Sequence, residues 1–136
     1  MEDFGLYIII TKPTLSYTEV AEICVENEIK MLQLREKDIC DKDLLKIAKK
    51  IKAVTRGTET NFVINDRPDL SMLCDADVLH LGQDDLAIED ARTIVNEDKL
   101  IGLSTHSIQQ AKEALAKKEH EAEIEAEIES KLELSR

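Results

Sequence analysis

The sequence predicts an α/β fold: a parallel (β/α) barrel of the TIM type, incomplete at about five βα units, with an acidic C-terminal helix. Three observations carry this reading. Short unbroken runs of β-forming apolar residues recur along the chain, and amphipathic stretches of helical period separate them. The 136 residues also fall short of the roughly 200 or more of a complete eight-unit barrel. Strand and helix alternating in regular order mean a parallel sheet with right-handed crossovers.

The elements follow in order. Residues 6–11 form a continuous apolar run that suits a strand covered on both faces, and Lys12 and Pro13 end it. Residues 16–27 place Val20, Ala21, Ile23 and Cys24 near helical spacing, with Ser16 or Thr18 as the N-cap. A second strand spans 31–35. A second helix spans 41–54, with Leu44, Leu45, Ile47, Ala48 and Ile51 along one stripe. Further strands are expected at 62–64, 78–81 and 100–103, with short helical segments near 68–73 and 86–95 between them.

From Ser107 onward neither Gly nor Pro appears, and the composition shifts to Ala, Glu, Lys and Ile, which predicts one long terminal helix. Ile124, Ile128 and Leu132 fall four apart within it, a narrow apolar stripe on an acidic surface. Glu at every second position from Glu119 to Glu129 would also suit a strand; the preference of Ala and Glu for helix decides for the helix. Residues 119–136 hold seven Glu against Lys131 and Arg136, so this segment carries -5 of the net charge and reads as a solvated appendage. The chain divides into a partial barrel at 1–118 and an acidic tail at 119–136. An open five-stranded sheet leaves its first and fifth strands as edges, which an acidic helix or a homo-oligomer would cover.

Composition narrows the partners. The net charge of -11 argues against nucleic acid or an anionic membrane, so an anionic ligand needs a local basic patch or a metal. The longest apolar runs are far below the roughly 20 residues of a spanning helix, no leader pattern opens the chain, and a cytoplasmic protein is expected. Cys24, Cys40 and Cys74 are scattered and odd in number, which suits reduced, partly buried fillers.

Chemistry should gather where the C-terminal strand ends converge. Gln33, Arg35 and Lys37 share one face at period two if the chain stays extended, and two cations with an amide suit phosphate oxygens; a solvated edge paired with Glu36 is the bland alternative. Asp66 and Asp85 arrive on adjacent strand ends. Two carboxylates meet the need of magnesium, which completes its shell with water and phosphate. The plainer roles are a turn before Pro68 for Asp66 and a cap on the helix near Leu86 for Asp84 or Asp85. Gly102 permits close backbone approach, and Ser104 either donates to a phosphate oxygen or caps a helix. His80 reads as a core or rim histidine bonded to backbone, His106 as a substrate contact or a first-turn residue, and His120 as solvent-exposed. No P-loop, dinucleotide fingerprint or nucleophile elbow is present.

Taken together, QLREK at 33–37, INDRPDL at 64–70, HLGQDD at 80–85 and GLSTH at 102–106 resemble the thiamine-phosphate synthases, in that family's order and spacing, over about residues 6–118. The resemblance implies a (β/α)8 barrel with Mg2+ as cofactor. It further implies an enzyme that joins hydroxymethylpyrimidine pyrophosphate to a thiazole phosphate and releases pyrophosphate. It implies that Gln33, Leu34, Arg35, Glu36 and Lys37 hold the pyrimidine and pyrophosphate, with Asn65 supporting the same group. Asp66 and Asp85 would bind the metal. Ser104 would contact the leaving pyrophosphate, forming the catalytic set with Arg35 and Lys37. In the implied mechanism pyrophosphate leaves first, and the thiazole nitrogen captures the pyrimidine-methyl cation. Past residue 118 the family's glycine-rich phosphate loops have no counterpart in this sequence. The alternatives are therefore an inactive homologue that binds magnesium pyrophosphate, an assembly module, and, less favoured because both aspartates are present, a thiazole tautomerase.

Overall fold

The computed structural model describes residues 5–118 and the strand at 124–128. The chain runs β1 (Tyr7–Ile10), α1 (Tyr17–Glu26), β2 (Met31–Leu34), α2 (Asp41–Thr55), β3 (Asn61–Asn65), α3 (Pro68–Leu73), β4 (Val78–Leu81), α4 (Ile88–Ile94), β5 (Leu100–Thr105), α5 (Ile108–Lys118) and β6 (Ile124–Ile128). The strands form one sheet in sequence order, and every neighbouring pair is parallel. The sheet stays open, with β1 and β6 at its ends.

Alternation along the strands divides the core. Leu32, Leu34, Phe62 and Ile64 join Ala21 and Cys24 of α1 and Leu44, Ala48 and Ile51 of α2 in the largest cluster. Leu79, Leu81 and Ile101 pack with Ile88 and Ala91 of α4. Met31, Val63 and Val78 form a third cluster with Tyr7 and Leu100; the register aligns Tyr7 with Met31 and Val63 with Val78 and Leu100, and all five share one pleat parity. Their pleat parity is opposite to that of Leu32, Leu79 and Ile101, so they line the concave face that a barrel would enclose. Each fully buried side chain of this size contributes about 2–3 kcal/mol.

Helix starts follow local chemistry. Ser16, not Thr18, caps α1: its hydroxyl accepts from the Glu19 N–H at 3.1 Å while the Glu19 carboxylate accepts from the Ser16 N–H at 3.0 Å. Asp84 and Asp85 do not cap α4, whose N-cap is Ala87 without a side-chain bond. The chain takes extra residues after Gly82 before turning, which carries both aspartates away from the helix start. Cys24 and Cys74 are buried as expected, whereas Cys40 is exposed beside α2, its thiol directed to Asp43 at 3.3 Å.

The terminal segment departs from the expected helix. Helix α5 ends at Lys118, and residues 124–128 pair with β5 from Ile101↔Ile124 to Thr105↔Ile128. The alternation of Ile and Ala with Glu matches the pleat, and the free edge of β5 offers a ladder that outweighs the helix preference of Ala and Glu. The fifth strand is thus covered by a sixth, and the remainder of 119–136 lies outside the described residues. Among the described residues no helix is long and apolar enough to cross a membrane.

Candidate functional site

The C-terminal ends of β2 to β5 bring the polar residues together. At β2, Gln33 is buried and its amide nitrogen donates to the Tyr7 hydroxyl at 2.8 Å across the concave face. Leu34 is buried on the opposite, helix-facing side. Beyond the strand the Arg35 guanidinium is exposed, and it has no hydrogen bond or ion pair among the described residues. Glu36 is buried and accepts from the Lys12 N–H and, at 3.2 Å, from the Tyr17 hydroxyl. Lys37 reaches across to the next strand end, its Nζ 3.6 Å from Asp66 Oδ2.

Strand β3 ends in Asn65, paired with His80 in the ladder, and Asp66 follows with a left-handed φ of 64°. Its N–H donates to the His80 carbonyl at 2.8 Å, so the turn is tied to β4. The Asp66 carboxyl faces that of Asp85, whose Oδ2 accepts from the Gly82 N–H at 2.7 Å. A Cβ at residue 82 would stand 3.1 Å from that oxygen, so glycine leaves the room the carboxylate takes. Burial raises the Asp66 pKa, and the facing Asp85 raises it further; Lys37 pulls the other way.

Two half-buried carboxylates that face each other, with Lys37 beside them, form a site of excess negative charge. Such a donor set fits magnesium, which takes one or two protein carboxylates and fills its shell with water and phosphate oxygens. No group of three or more His, Cys, Asp or Glu able to hold a metal occurs among the described residues. Only a cation sharing its shell with ligand or water would suit this pair.

At β5, Ser104 lies within the strand and does not cap a helix; Ser107 takes that role, its Oγ accepting from the Gln110 N–H at 3.1 Å. The Ser104 hydroxyl meets His80 Nε2 at 2.7 Å, and its carbonyl accepts from the Gln83 amide at 2.7 Å. His80 thus bonds a side chain on the next strand, a partner that the residue pattern around it did not reveal. His106 is exposed, its N–H donating to Gln110 Oε1 at 2.7 Å ahead of α5. His120 lies outside the described residues.

A family model described as thiamine monophosphate synthase matches residues 6–121, the span that carries every one of these strand ends. The chain belongs to the thiamine monophosphate synthase family. It is 40% identical over 117 residues to a thiamine-phosphate synthase from Lawsonia intracellularis, covering 83% of this chain and 54% of that protein. It is 38% identical over 115 residues to one from Caldanaerobacter subterraneus, with 82% and 54% covered. Among solved structures, a thiamine phosphate pyrophosphorylase from Pyrococcus furiosus superposes with a TM-score of 0.74 at 31% identity, over 84% of this chain and 56% of that one. The chain spans about half the length of the relatives it matches.

One latch in this half of the family's fold was not foreseen. Arg67 forks onto Asp41 at 2.6 and 3.1 Å and onto Asp69 at 3.0 and 2.8 Å, joining the starts of α2 and α3. The guanidinium holds both carboxyls below their ordinary pKa. It ties the loop carrying Lys37 to the strand end carrying Asp66.

Proposed function

We propose that this chain carries the pyrimidine-pyrophosphate half of a thiamine-phosphate synthase site, in a transferase that joins hydroxymethylpyrimidine pyrophosphate to thiazole phosphate with release of pyrophosphate. The observation that carries the reading is the approach of the Asp66 and Asp85 carboxyls beside Lys37, on the same rim as the exposed Arg35 and the Ser104 hydroxyl. Asp66 and Asp85 would hold Mg2+, which supplies positive charge against the pyrophosphate oxygens. Arg35 and Lys37 bind the same oxygens, the first as a planar fork and the second as a mobile point charge. When Ser104 donates to the leaving group, His80 Nε2 must carry the hydrogen it shares with Ser104 Oγ, which fixes the imidazole tautomer. Gln33 and Asn65 border the pyrimidine end, and Leu34 packs behind them against the helices. The C–O bond to pyrophosphate breaks, these donors take up the charge developing on the leaving oxygen, and a C–N bond forms to the thiazole.

A second reading has a specific observation behind it. The cations and carboxylates of the described rim are all of the kind that bind a metal-complexed pyrophosphate, so binding of magnesium pyrophosphate without turnover is the alternative. Calorimetric titration with the pyrimidine pyrophosphate, with and without magnesium and repeated for Asp66→Ala, tests both. Magnesium-dependent binding lost in the variant, with turnover on adding thiazole phosphate, is the result expected of a synthase. The same binding without turnover selects the second reading, and no binding in either condition defeats both.

A further inference from the structure

Glu36 stands between two candidate phosphate-binding cations, yet its contacts lead away from the rim. It is buried, 8% exposed, whereas Arg35 and Lys37 are exposed. Pleat parity accounts for this: Glu36 follows the row of Leu32 and Leu34, which faces α1 and α2, while Arg35 follows that of Gln33 and the chain bends at Lys37. The backbone ladder between β1 and β2 closes with the Arg35 N–H on the Ile10 carbonyl at 3.0 Å. Side chains prolong it from there. The Thr11 hydroxyl donates to the Arg35 carbonyl at 2.8 Å, and the Lys12 N–H donates to Glu36 Oε1. The same oxygen accepts from the Tyr17 hydroxyl at 3.2 Å, reaching from the first turn of α1. Lys12 holds a left-handed φ of 44°, uncommon for lysine, where the chain turns away from β1. A buried carboxylate accepting two hydrogen bonds is an anchor that a neutral aliphatic residue could not replace without orphaning both donors.

We propose that Glu36 is a positioning residue: it clamps the β1–α1 turn and α1 onto the end of β2, and so fixes the backbone from which Arg35 and Lys37 reach the pyrophosphate. The assignment rests on the proposed function for its purpose, but the clamp itself is a property of the unliganded chain. Its role is distinct from contact with substrate, because its side chain is buried and turned toward Lys12 and Tyr17, both of which donate to Oε1.

The test compares Glu36→Ala, Glu36→Gln and Tyr17→Phe in the full chain. Two readouts are hydrogen exchange at the amides of residues 35–37 without ligand, and affinity for inorganic pyrophosphate with magnesium. Glu36→Ala should speed exchange at these amides and weaken pyrophosphate binding, each by about tenfold. Glu36→Gln, whose amide oxygen still accepts both bonds, should stay within about threefold of the parent. Should Glu36→Ala fail to fold, Tyr17→Phe, which deletes one donor, gives the same pattern at smaller amplitude. Unchanged exchange in Glu36→Ala and Tyr17→Phe overturns the clamp. Binding weakened as much by Gln as by Ala overturns it too, since that marks a carboxylate that meets ligand or metal directly. A parent chain that binds no pyrophosphate defeats the proposed function, while the ligand-free exchange still decides the clamp.

Discussion

Replacing Asp66 by Asn should make the unliganded protein more stable and blind to magnesium. The Asp66 and Asp85 carboxyls face each other across adjacent strand ends. Two unit charges about 4 Å apart repel by roughly 4 kcal/mol at an effective dielectric of about 20. Lys37 lies 3.6 Å from Asp66 but is 59% exposed, so its attraction offsets less than about 1 kcal/mol. Uptake of a proton by Asp66 limits the remainder, and a net gain of about 1–2 kcal/mol on substitution follows, or about 3–6 °C in a domain of this size. Asparagine keeps the shape, can donate to Asp85, and tolerates the left-handed φ of 64°. The pH dependence carries a sign. The Asp66 pKa is raised in the folded state, so the folded protein binds this proton more tightly than the unfolded chain. Its contribution to stability is complete below the ordinary value of 3.8 and is lost as the pH climbs through the raised one. The Asn variant lacks that decline. Thermal unfolding at neutral and mildly acidic pH, with and without magnesium, measures all of this. A variant that melts below the parent, or one that magnesium stabilises as strongly as the parent, would refute the reasoning.

Three further outcomes test the scaffold. Asp77 accepts from Lys52 Nζ and from the Phe62 N–H, both at 2.8 Å, so Asp77→Ala strands a buried ammonium and should cost about 3–5 kcal/mol in urea unfolding. Adding Lys52→Met should recover part of that loss. Ser16→Ala removes one arm of the α1 capping box and should cost about 1 kcal/mol by the same measurement, with Thr18→Ala costing less than half as much. Lys99 is buried with its ammonium on the Ala76 and Ser71 carbonyls, and burial lowers its pKa. The unfolded chain therefore holds that proton more tightly, and stability rises as the pH climbs from the lowered value toward 10.5. Alkaline melting curves of Lys99→Met should lose this rise.

The parts of the fold that the sequence disclosed are those in which one physical signal dominates. Strand β4 and helix α3 fall at the expected residues because an apolar run and a Pro at the helix start act locally. The approach of Asp66 to Asp85 was legible for a similar reason. Adjacent parallel strands with known ends must deliver their last polar residues to one rim. What was hidden depends on partners far along the chain. The pairing of His80 with Ser104 spans 24 residues, as does the bond from Lys12 to Glu36, and neither leaves a mark in local spacing. For Glu36 the parity of the strand was a usable clue, since a residue that alternates with Arg35 and Lys37 belongs to the helix-facing row.

The terminal segment shows how context decides between two readings of one pattern. Glu at every second position is a period-two signal, and the four-residue spacing of Ile124 and Ile128 satisfies period two and the helical period alike. Propensity favours helix, but in a marginal segment it amounts to fractions of a kcal/mol per residue. Against it stands the unpaired edge of β5, a row of N–H and C=O groups that a parallel neighbour satisfies across five register positions. That edge exists only because the sheet is open, so no window of sequence confined to the tail contains the information. The same openness leaves β1 at the other end of the sheet, with Ile9 half exposed. The clamp through Glu36 and Thr11 therefore acts where the sheet has least support, at the strand pair that carries Arg35 and Lys37.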